Sequence, residues 1–387
     1  MVYSTFFRQV KMRVLFITNF HQLYGANRSL LSVIENFREN GHEVCLILPR
    51  KGDYSQELEK KGINHMVIPY FSQLFYYKKA LPYLALPFLA VFTLCMMPYI
   101  IFKAKKFFPD LVYSNTAAEN IGYFVAKAIG AKHLTHVREF MDLDHSCVFF
   151  GGNTVKKNFI CKSDAVLYVS KAVANHTLMG EPVVGKHKVI YNGVRMSDAP
   201  YVDKQLPSVI NFGVVGLIDE SKGQDLAIRY FNEIKDLYPG SLLHIWGDKE
   251  GAYKKRIYKM VDDMKLQDRV IFHGFEKNTE KIYCDMSALL MCSRAEGFGR
   301  VTIEAMAKGI PVLGYRSGGT AELVIDGFNG YSFVSQEEFN AGVAKMFDND
   351  EHYNKLCCQS YIHAHENFTE EIYTKKVRDF VEKRFMV

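Results

Sequence analysis

The sequence has no Cys-x-x-Cys pair, and none of its eight cysteines stands at zinc-ligand spacing from a histidine. That removes the usual structural zinc modules. Several of these thiols lie in strand-like apolar runs, where cysteine packs as a small hydrophobe, and the expected compartment is the reducing cytosol. Blocks of lysine and arginine interleaved with aromatics are also missing. The net charge of +6 is mild; it suits anionic substrates or an anionic membrane surface and carries no nucleic-acid footprint. There is no Gly-x-Gly-x-x-Gly fingerprint and no repeat of fixed period. No secretory leader is legible, because the apolar run Val14–Ile17 has only strand length and leads into Asn19 and His21. Met12, just ahead of the first strand pattern, reads as an alternative start. What the chain has in quantity is core: 48% hydrophobic and 14% aromatic over 387 residues, enough for two domains.

Charge is absent altogether from residues 80–102, which are flanked by Lys78 and Lys79 on one side and by Lys103, Lys105 and Lys106 on the other. About 20 apolar residues suffice to cross a bilayer. Two observations argue against a span. Lysine at both ends gives no orientation, and the strand patterns on either side, 65–68 and 111–114, belong to one sheet that cannot straddle a membrane. Pro82, Pro87 and Pro98 interrupt a straight helix. The expectation is a shallow insertion, or a hairpin, that returns to the same side with its lysines meeting anionic head groups, the prolines favouring the hairpin; the alternative is a buried core helix.

Elsewhere the chain alternates strand and helix patterns, which predicts parallel sheets. Arg13–Thr18 and Glu43–Leu48 bracket a helix with Leu30, Val33, Ile34 and Phe37 on one face. Strands follow at 111–114, 132–137 and 165–170, a loop is expected over 140–160, and an Asn192-Gly193 turn lies ahead of a polar stretch, 197–207. The second half has strand patterns at 209–216, 242–246 and 270–272. Its most informative stretch runs from Ser287 to Phe333: an apolar strand, a turn with Glu296, Gly297, Phe298 and Gly299, a helix through Val301, Ile303 and Met306 to about Lys308, and a second strand from Ile310 to Gly314.

Unpaired amides at a helix start attract anions, and glycines let a ligand approach the backbone. Here a carboxylate stands on each side of that start, Glu296 and Glu304, with seven residues between them. Carboxylates repel bare phosphate but accept from hydroxyls, so a ligand carrying both, such as a nucleotide-sugar, suits the pair.

Glu296-Gly-Phe-Gly-Arg-Val-Thr-Ile-Glu-Ala-Met-Ala307, followed by Gly309-Ile-Pro-Val312, Ser317-Gly-Gly-Thr-Ala-Glu322 and Asp326-Gly-Phe-Asn-Gly330, resembles the signature of the retaining glycosyltransferases of family 4. The resemblance covers most of the second half well and the first half loosely. It implies an α/β protein with two facing Rossmann-like domains built on parallel sheets, the GT-B fold. The expected parts are an acceptor-side domain at 1–193, a donor domain at 194–365 and a helix at 366–387 returning to the first. Ligands would lie outside the carboxyl ends of the strands.

The resemblance also implies roles. Glu296 and His136 would serve catalysis, with His136 facing the donor sugar. Gly25, Lys222, Phe298, Gly299, Arg300, Val301 and Glu304 would bind the donor, the diphosphate lying on the amides near Phe298–Val301 and on Lys222. Two departures stand out: Asn27 replaces a carboxylate in the loop Tyr24-Gly25-Ala26-Asn27, and Leu217 stands where the family carries an arginine, with Arg300 and Arg294 as candidate substitutes. The implied reaction is transfer of a sugar from a nucleotide-diphosphate-sugar to a saccharide or lipid-linked saccharide hydroxyl, with retention and without metal or further cofactor. Asp142-Leu-Asp144 and Asp348-Asn-Asp350 have the spacing of a metal-binding Asp-x-Asp, but neither follows a strand-like run. The expected setting is cell-surface polysaccharide assembly, on the cytoplasmic face of the membrane, peripheral or monotopic. Two alternatives are another GT-B enzyme, such as a nucleotide-sugar epimerase, and a non-catalytic membrane-bound partner.

Overall fold

The computed structural model describes residues 11–72, 74–76, 81–197 and 199–386; the Lys78–Lys79 flank of the apolar stretch lies outside them. The chain divides into two compact units, Met1–Gly193 with Glu370–Val387, and Val194–Thr369.

The first unit runs β1 (Arg13–Ile17), α1 (Gly25–Glu39), β2 (Glu43–Leu48), α2 (Asp53–Lys60), β3 (His65–Val67), β4 (Leu74–Tyr76), α3 (Leu81–Phe107), β5 (Leu111–Ser114), α4 (Ile121–Ile129), β6 (Lys132–Val137), α5 (Asp142–His145), β7 (Cys147–Phe149), α6 (Gly152–Ile160), β8 (Ala165–Tyr168), α7 (Lys171–Leu178) and β9 (His187–Val189). Seven strands form one sheet in the order β3-β2-β1-β5-β6-β8-β9, all pairs parallel. Strands such as Leu111–Ser114 and Ala165–Tyr168 are buried at every residue, as continuous apolar runs must be when helices cover both faces of a sheet. The segment 140–160, expected as loop, instead holds α5, β7 and α6, and β7 pairs antiparallel with β4. Its apolar residues Phe140, Met141, Phe149 and Ile160 are all buried, which a solvated loop would not allow.

The second unit runs β10 (Asn211–Val215), α8 (Gln224–Ile234), β11 (Leu242–Trp246), α9 (Ala252–Asp263), β12 (Val270–Gly274), α10 (Thr279–Tyr283), β13 (Ala288–Met291), α11 (Arg300–Met306), β14 (Val312–Tyr315), α12 (Thr320–Leu323), β15 (Gly330–Phe333), α13 (Gln336–Met346) and α14 (Asp350–Asn367). Its sheet order is β12-β11-β10-β13-β14-β15, again parallel throughout. The last helix, α15 (Glu370–Phe385), belongs to the first unit, where Tyr373, Val377 and Val381 join Leu30, Ile34 and Phe37 of α1 in one core.

The apolar stretch is neither a hairpin nor a buried core helix. It forms the single helix α3 with Pro87 and Pro98 inside it, and most of its described length is exposed. The cause is in the composition: residues 81–107 contain no Gly, Asn, Asp or Ser with which to reverse the chain. A proline without a turn beside it bends a helix and removes one hydrogen bond; it does not send the chain back.

One buried acid makes the first unit sensitive to pH. Glu119 precedes α4 and accepts from the amides of Ile121 and Gly122, while its other carboxylate oxygen has no partner. Burial pushes its pKa up to about 7 against the hydrogen bonds from those two amides and from the Ser114 side chain, which act the other way. A carboxyl whose folded value is raised contributes stability below its unfolded value near 4.5 and loses that contribution as the pH climbs through about 7. Glu119→Gln, which keeps an acceptor for both amides, should therefore stabilise the protein at pH 8 by up to about 3 kcal/mol and change little at pH 4.5. Chemical denaturation at the two pH values reads the difference, and equal effects at both would contradict it.

Candidate functional site

In an open parallel sheet, ligands gather beyond the carboxyl ends of the strands where the strand order reverses, because two neighbouring loops there diverge to opposite faces. In the second unit that place is between β10 and β13: the chain leaves β10 towards β11 on one side, while β14 and β15 lie on the other. The loop after β10 runs through a single turn of 3-10 helix, Glu220–Lys222. The loop after β13 carries Glu296. The two loops meet in an ion pair, Lys222 Nζ to Glu296 Oε2 at 2.7 Å, with both side chains mostly buried.

Backbone packing fixes Glu296. The turn after β14 donates from the Gly319 amide to the Glu296 carbonyl at 2.7 Å. Gly318, at φ +54°, lies so close that a Cβ would stand 2.4 Å from that carbonyl oxygen, and a Cβ on Gly319 would stand 2.6 Å from the Phe298 carbonyl. Ser317 Oγ donates to the Arg294 carbonyl at 2.6 Å. The Ser-Gly-Gly-Thr motif is thus the seat on which the Glu296–Phe298 backbone rests. Phe298 is buried and its ring lies 6.1 Å from that of Phe368. Gly299 caps α11 with φ 95°, a conformation costly to a residue with a Cβ.

The helix ends at Met306 rather than near Lys308 and has seven residues. So short a helix contributes little macrodipole; what it offers an anion is the backbone ahead of Thr302 and Ile303, whose own amides donate to the Gly299 carbonyl. Arg300 stands at its first position, 3.9 Å from Glu304 one turn on. Glu304 also accepts from the hydroxyl of Tyr283 at 3.1 Å. Burial first, then the Glu304 charge, hold the Tyr283 phenol well above its ordinary pKa, so it stays a donor at neutral pH. Tyr283 was not singled out from the sequence. An exposed-looking Thr-Glu-Lys-Ile-Tyr helix gives no sign of a tyrosine turned towards a carboxylate 21 positions later.

Of the two arginines expected to replace the one missing at Leu217, Arg294 is committed elsewhere. Its guanidinium grips Asp225 through both terminal nitrogens, at 3.2 and 3.0 Å, and reaches the Glu220 carbonyl. Burial pushes the Asp225 carboxyl up, but hydrogen bonds from Arg294 and Tyr253 outweigh it and leave the group below its ordinary pKa. This arrangement braces the loop that carries Lys222. Arg300 remains as the second cation beside the site. Leu217 itself is exposed.

The first-unit candidates are less open. His136, on β6, is fully buried, with Nδ1 against the Tyr113 hydroxyl and Nε2 without a partner. Burial, with Arg138 adding to it, holds its pKa well below the ordinary value, so it is neutral. It stands near the end of β6 with its whole side chain enclosed. Gly25 is the exposed first residue of α1. Asn27 is buried and closes the β1–α1 loop, donating to the Phe20 and Gln22 carbonyls while its side-chain oxygen accepts from Thr18. A carboxylate lacks the amide donor for those two bonds.

The sequence also hid the role of Arg138. It is buried, donates twice to the Asn115 side chain, and reaches Asn192 and the Tyr373 hydroxyl. One guanidinium thereby ties β5, the end of the first unit and α15 together. The two Asp-x-Asp sequences accept from protein donors: Asp142 from Asn153, with His176 paired to it, Asp144 from the Phe140 and Met141 amides, Asp348 from the Asn349 side chain and Asp350 from the Leu206 amide. Among the described residues, no group of three or more His, Cys, Asp or Glu side chains is placed to hold a metal ion.

Comparisons with known proteins agree with this architecture. Residues 209–361 match the family model described as glycosyl transferases group 1, and residues 23–198 match that of glycosyltransferase family 4. An uncharacterized glycosyltransferase of Methanocaldococcus jannaschii is 30% identical over 234 residues, covering 57% of this chain and 60% of the relative. A GDP-mannose-dependent phosphatidylinositol monomannoside mannosyltransferase of Mycolicibacterium smegmatis is 35% identical over 118 residues, 28% of this chain and 30% of that protein. These matches thus span less than two thirds of the curated relatives' length. Among solved structures, Anabaena HepE in complex with UDP superposes with a TM-score of 0.78 at 20% identity, covering 96% of this chain and all of the other. With two family models lying end to end along nearly all of it, and with this fold, the chain belongs to the family 4 glycosyltransferases of the GT-B class.

Proposed function

We propose that the protein is a glycosyltransferase that moves a sugar from a nucleotide-diphosphate-sugar to an acceptor hydroxyl with retention of configuration and without a metal. The observation that carries this reading is the Lys222–Glu296 contact at the strand-order reversal, with Glu304 held one side away by Tyr283. Lys222 and the first amides of α11, near Phe298, Gly299, Arg300 and Val301, take the diphosphate. Glu304 accepts from the ribose hydroxyls, and Glu296 from the sugar. On transfer, the bond from the anomeric carbon to the diphosphate breaks, the acceptor oxygen bonds to that carbon on the same face, and the acceptor proton passes to the departing phosphate. The developing charge falls on Lys222 and on fixed backbone donors, the kind of preorganised stabilisation that lowers such barriers most.

Lys222 is shared in this scheme. Its ammonium has three donors, so it can keep Glu296 in place while meeting a phosphate oxygen. A saccharide, lipid-linked during cell-surface polysaccharide assembly at the cytoplasmic face, is the acceptor this reading favours; the phosphatidylinositol mannoside relative acts on a lipid-borne sugar by its name. Leu217 favours one other reading, a protein that binds the donor without turning it over, because a phosphate ligand of the family is missing there.

Two experiments test the proposal. Lys222→Ala should weaken nucleoside-diphosphate binding by about 10- to 100-fold, the cost of one charge-assisted contact, as read by calorimetry over a panel of nucleotides; an unchanged affinity would remove the assignment. Leu217→Arg should tighten the same binding by up to about tenfold, whereas a loss would show that the turn has been rebuilt around leucine. In a turnover assay, Glu296→Gln and Glu304→Gln should each slow nucleotide release. Excess chelator should leave the wild-type rate unchanged. Turnover that both glutamine variants retain in full would leave only the reading in which these groups do not act.

A further inference from the structure

The helix α3 carries a surface that the donor site does not use. Its described side chains from Pro87 to Tyr99 are mostly exposed, and they are Phe88, Val91, Phe92, Leu94 and Tyr99, with Phe88 at 83% and Leu94 at 68% exposure. Only the last turns enter a core: Ile100 and Ala104 pack with Leu15, Ile17, Val112, Ile121 and Val125. By length and hydropathy the segment Pro87–Phe107 passes as a membrane span. Water does not tolerate so long an uncovered apolar helix without a partner.

Its attachments decide how it meets that partner. α3 packs against β4, which is itself paired to β7 of the first unit. In its middle, Thr93 Oγ1 accepts from the Phe71 amide at 3.1 Å, and the Phe71 and Phe92 rings lie 5.5 Å apart. Its end packs against β1 and α4. A helix of 27 residues is roughly 40 Å long, and this one is held to the first unit at its middle and its end. Ahead of Phe92 that leaves about 11 residues, 81–91, roughly 16 Å of helix, too few to cross a hydrocarbon core of about 30 Å.

We infer that α3 is an in-plane membrane anchor: it sinks its apolar face into one leaflet of a bilayer bearing anionic head groups. Charge complementarity selects that occupant. Residues 81–102 hold no charged side chain, whereas Lys103, Lys105 and Lys106 follow at once. Lys103 lies over the Tyr99 ring and Lys106 over the Phe102 ring. Aromatic rings with ammonium groups above them form the pattern of a headgroup boundary, where the ring is half-immersed and the lysine reaches phosphate. A protein partner would call for a polar rim around the apolar patch, and the uncharged run offers none. The inference concerns the first unit alone and stands whether or not the donor site turns over.

Flotation of the purified full chain with vesicles tests it. Binding should be strong on phosphatidylcholine mixed with phosphatidylglycerol, weaker on phosphatidylcholine alone, and reduced by salt. Phe88→Ser with Leu94→Ser should abolish it, and each of Lys103, Lys105 and Lys106 changed to Gln should cost about fivefold on the anionic vesicles. All of these side chains are at the surface, so thermal unfolding and nucleotide binding should stay as in the wild type. Depth is read at the exposed Cys95, near the middle of α3, labelled with a fluorophore in a Cys284→Ser background. A quencher near the head groups should act more strongly than one at the acyl-chain end. Stronger quenching at the chain end would overturn the in-plane reading in favour of a span. No flotation with either vesicle, or an apolar self-association abolished by the same serine variants, would overturn the lipid assignment.

Discussion

A single ion pair organises the second unit's chemistry. Lys222 and Glu296 come from loops on either side of the point where the strand order reverses, and neither loop could hold its residue there alone. The Lys222 loop is braced by Arg294 on Asp225, the Glu296 loop by the two glycines of the β14 turn. Each brace is made of backbone contact or a bidentate charge pair, the two interactions least forgiving of displacement. The motif residues beyond the glutamates are thus best understood as packing constraints. Ser317, Gly318 and Gly319 reach no ligand in this account; they set where Glu296 can be.

The first unit shows a parallel economy around Arg138. Buried arginines cost free energy unless their donors are satisfied, and this one satisfies them on Asn115, Asn192 and Tyr373. Because Tyr373 lies on α15, the last helix of the chain is tied to the strand ends of the first unit by hydrogen bonds as well as by the apolar core with α1. Glu119, beside the same strand ends, is buried with half its carboxylate unpaired. Polar groups that pure stability would exclude are concentrated at this edge of the sheet.

How much of this was legible in the sequence depends on the range of the interaction. Apolar runs such as Leu111–Ser114 and Lys132–Val137 gave their strands to the residue, because burial on both faces leaves a pattern no local detail can blur. The turn from Glu296 to Gly299 was legible because glycines and carboxylates at fixed spacing have few other uses. What the sequence does not display is tertiary. The burial of His136 depends on which face of β6 its neighbours cover, and the partnership of Tyr283 with Glu304 on the packing of α10 against α11. The prolines of α3 misled for a different reason: they weaken a helix, but only a turn-forming residue ends one, and none is there. Asn27 and Leu217 were visible as departures from the family, yet only the loop geometry shows that the first has been given a structural task.

The central claim, that loop amides and one lysine grip a diphosphate at the strand-order reversal, is most directly tested by hydrogen exchange with and without a nucleoside diphosphate. The account predicts slowed exchange concentrated at residues 216–223 and 296–303, with the first unit's β1–α1 loop changing less. Saturating nucleotide that leaves those two segments as fast as in the free protein, while protecting amides elsewhere, would contradict it.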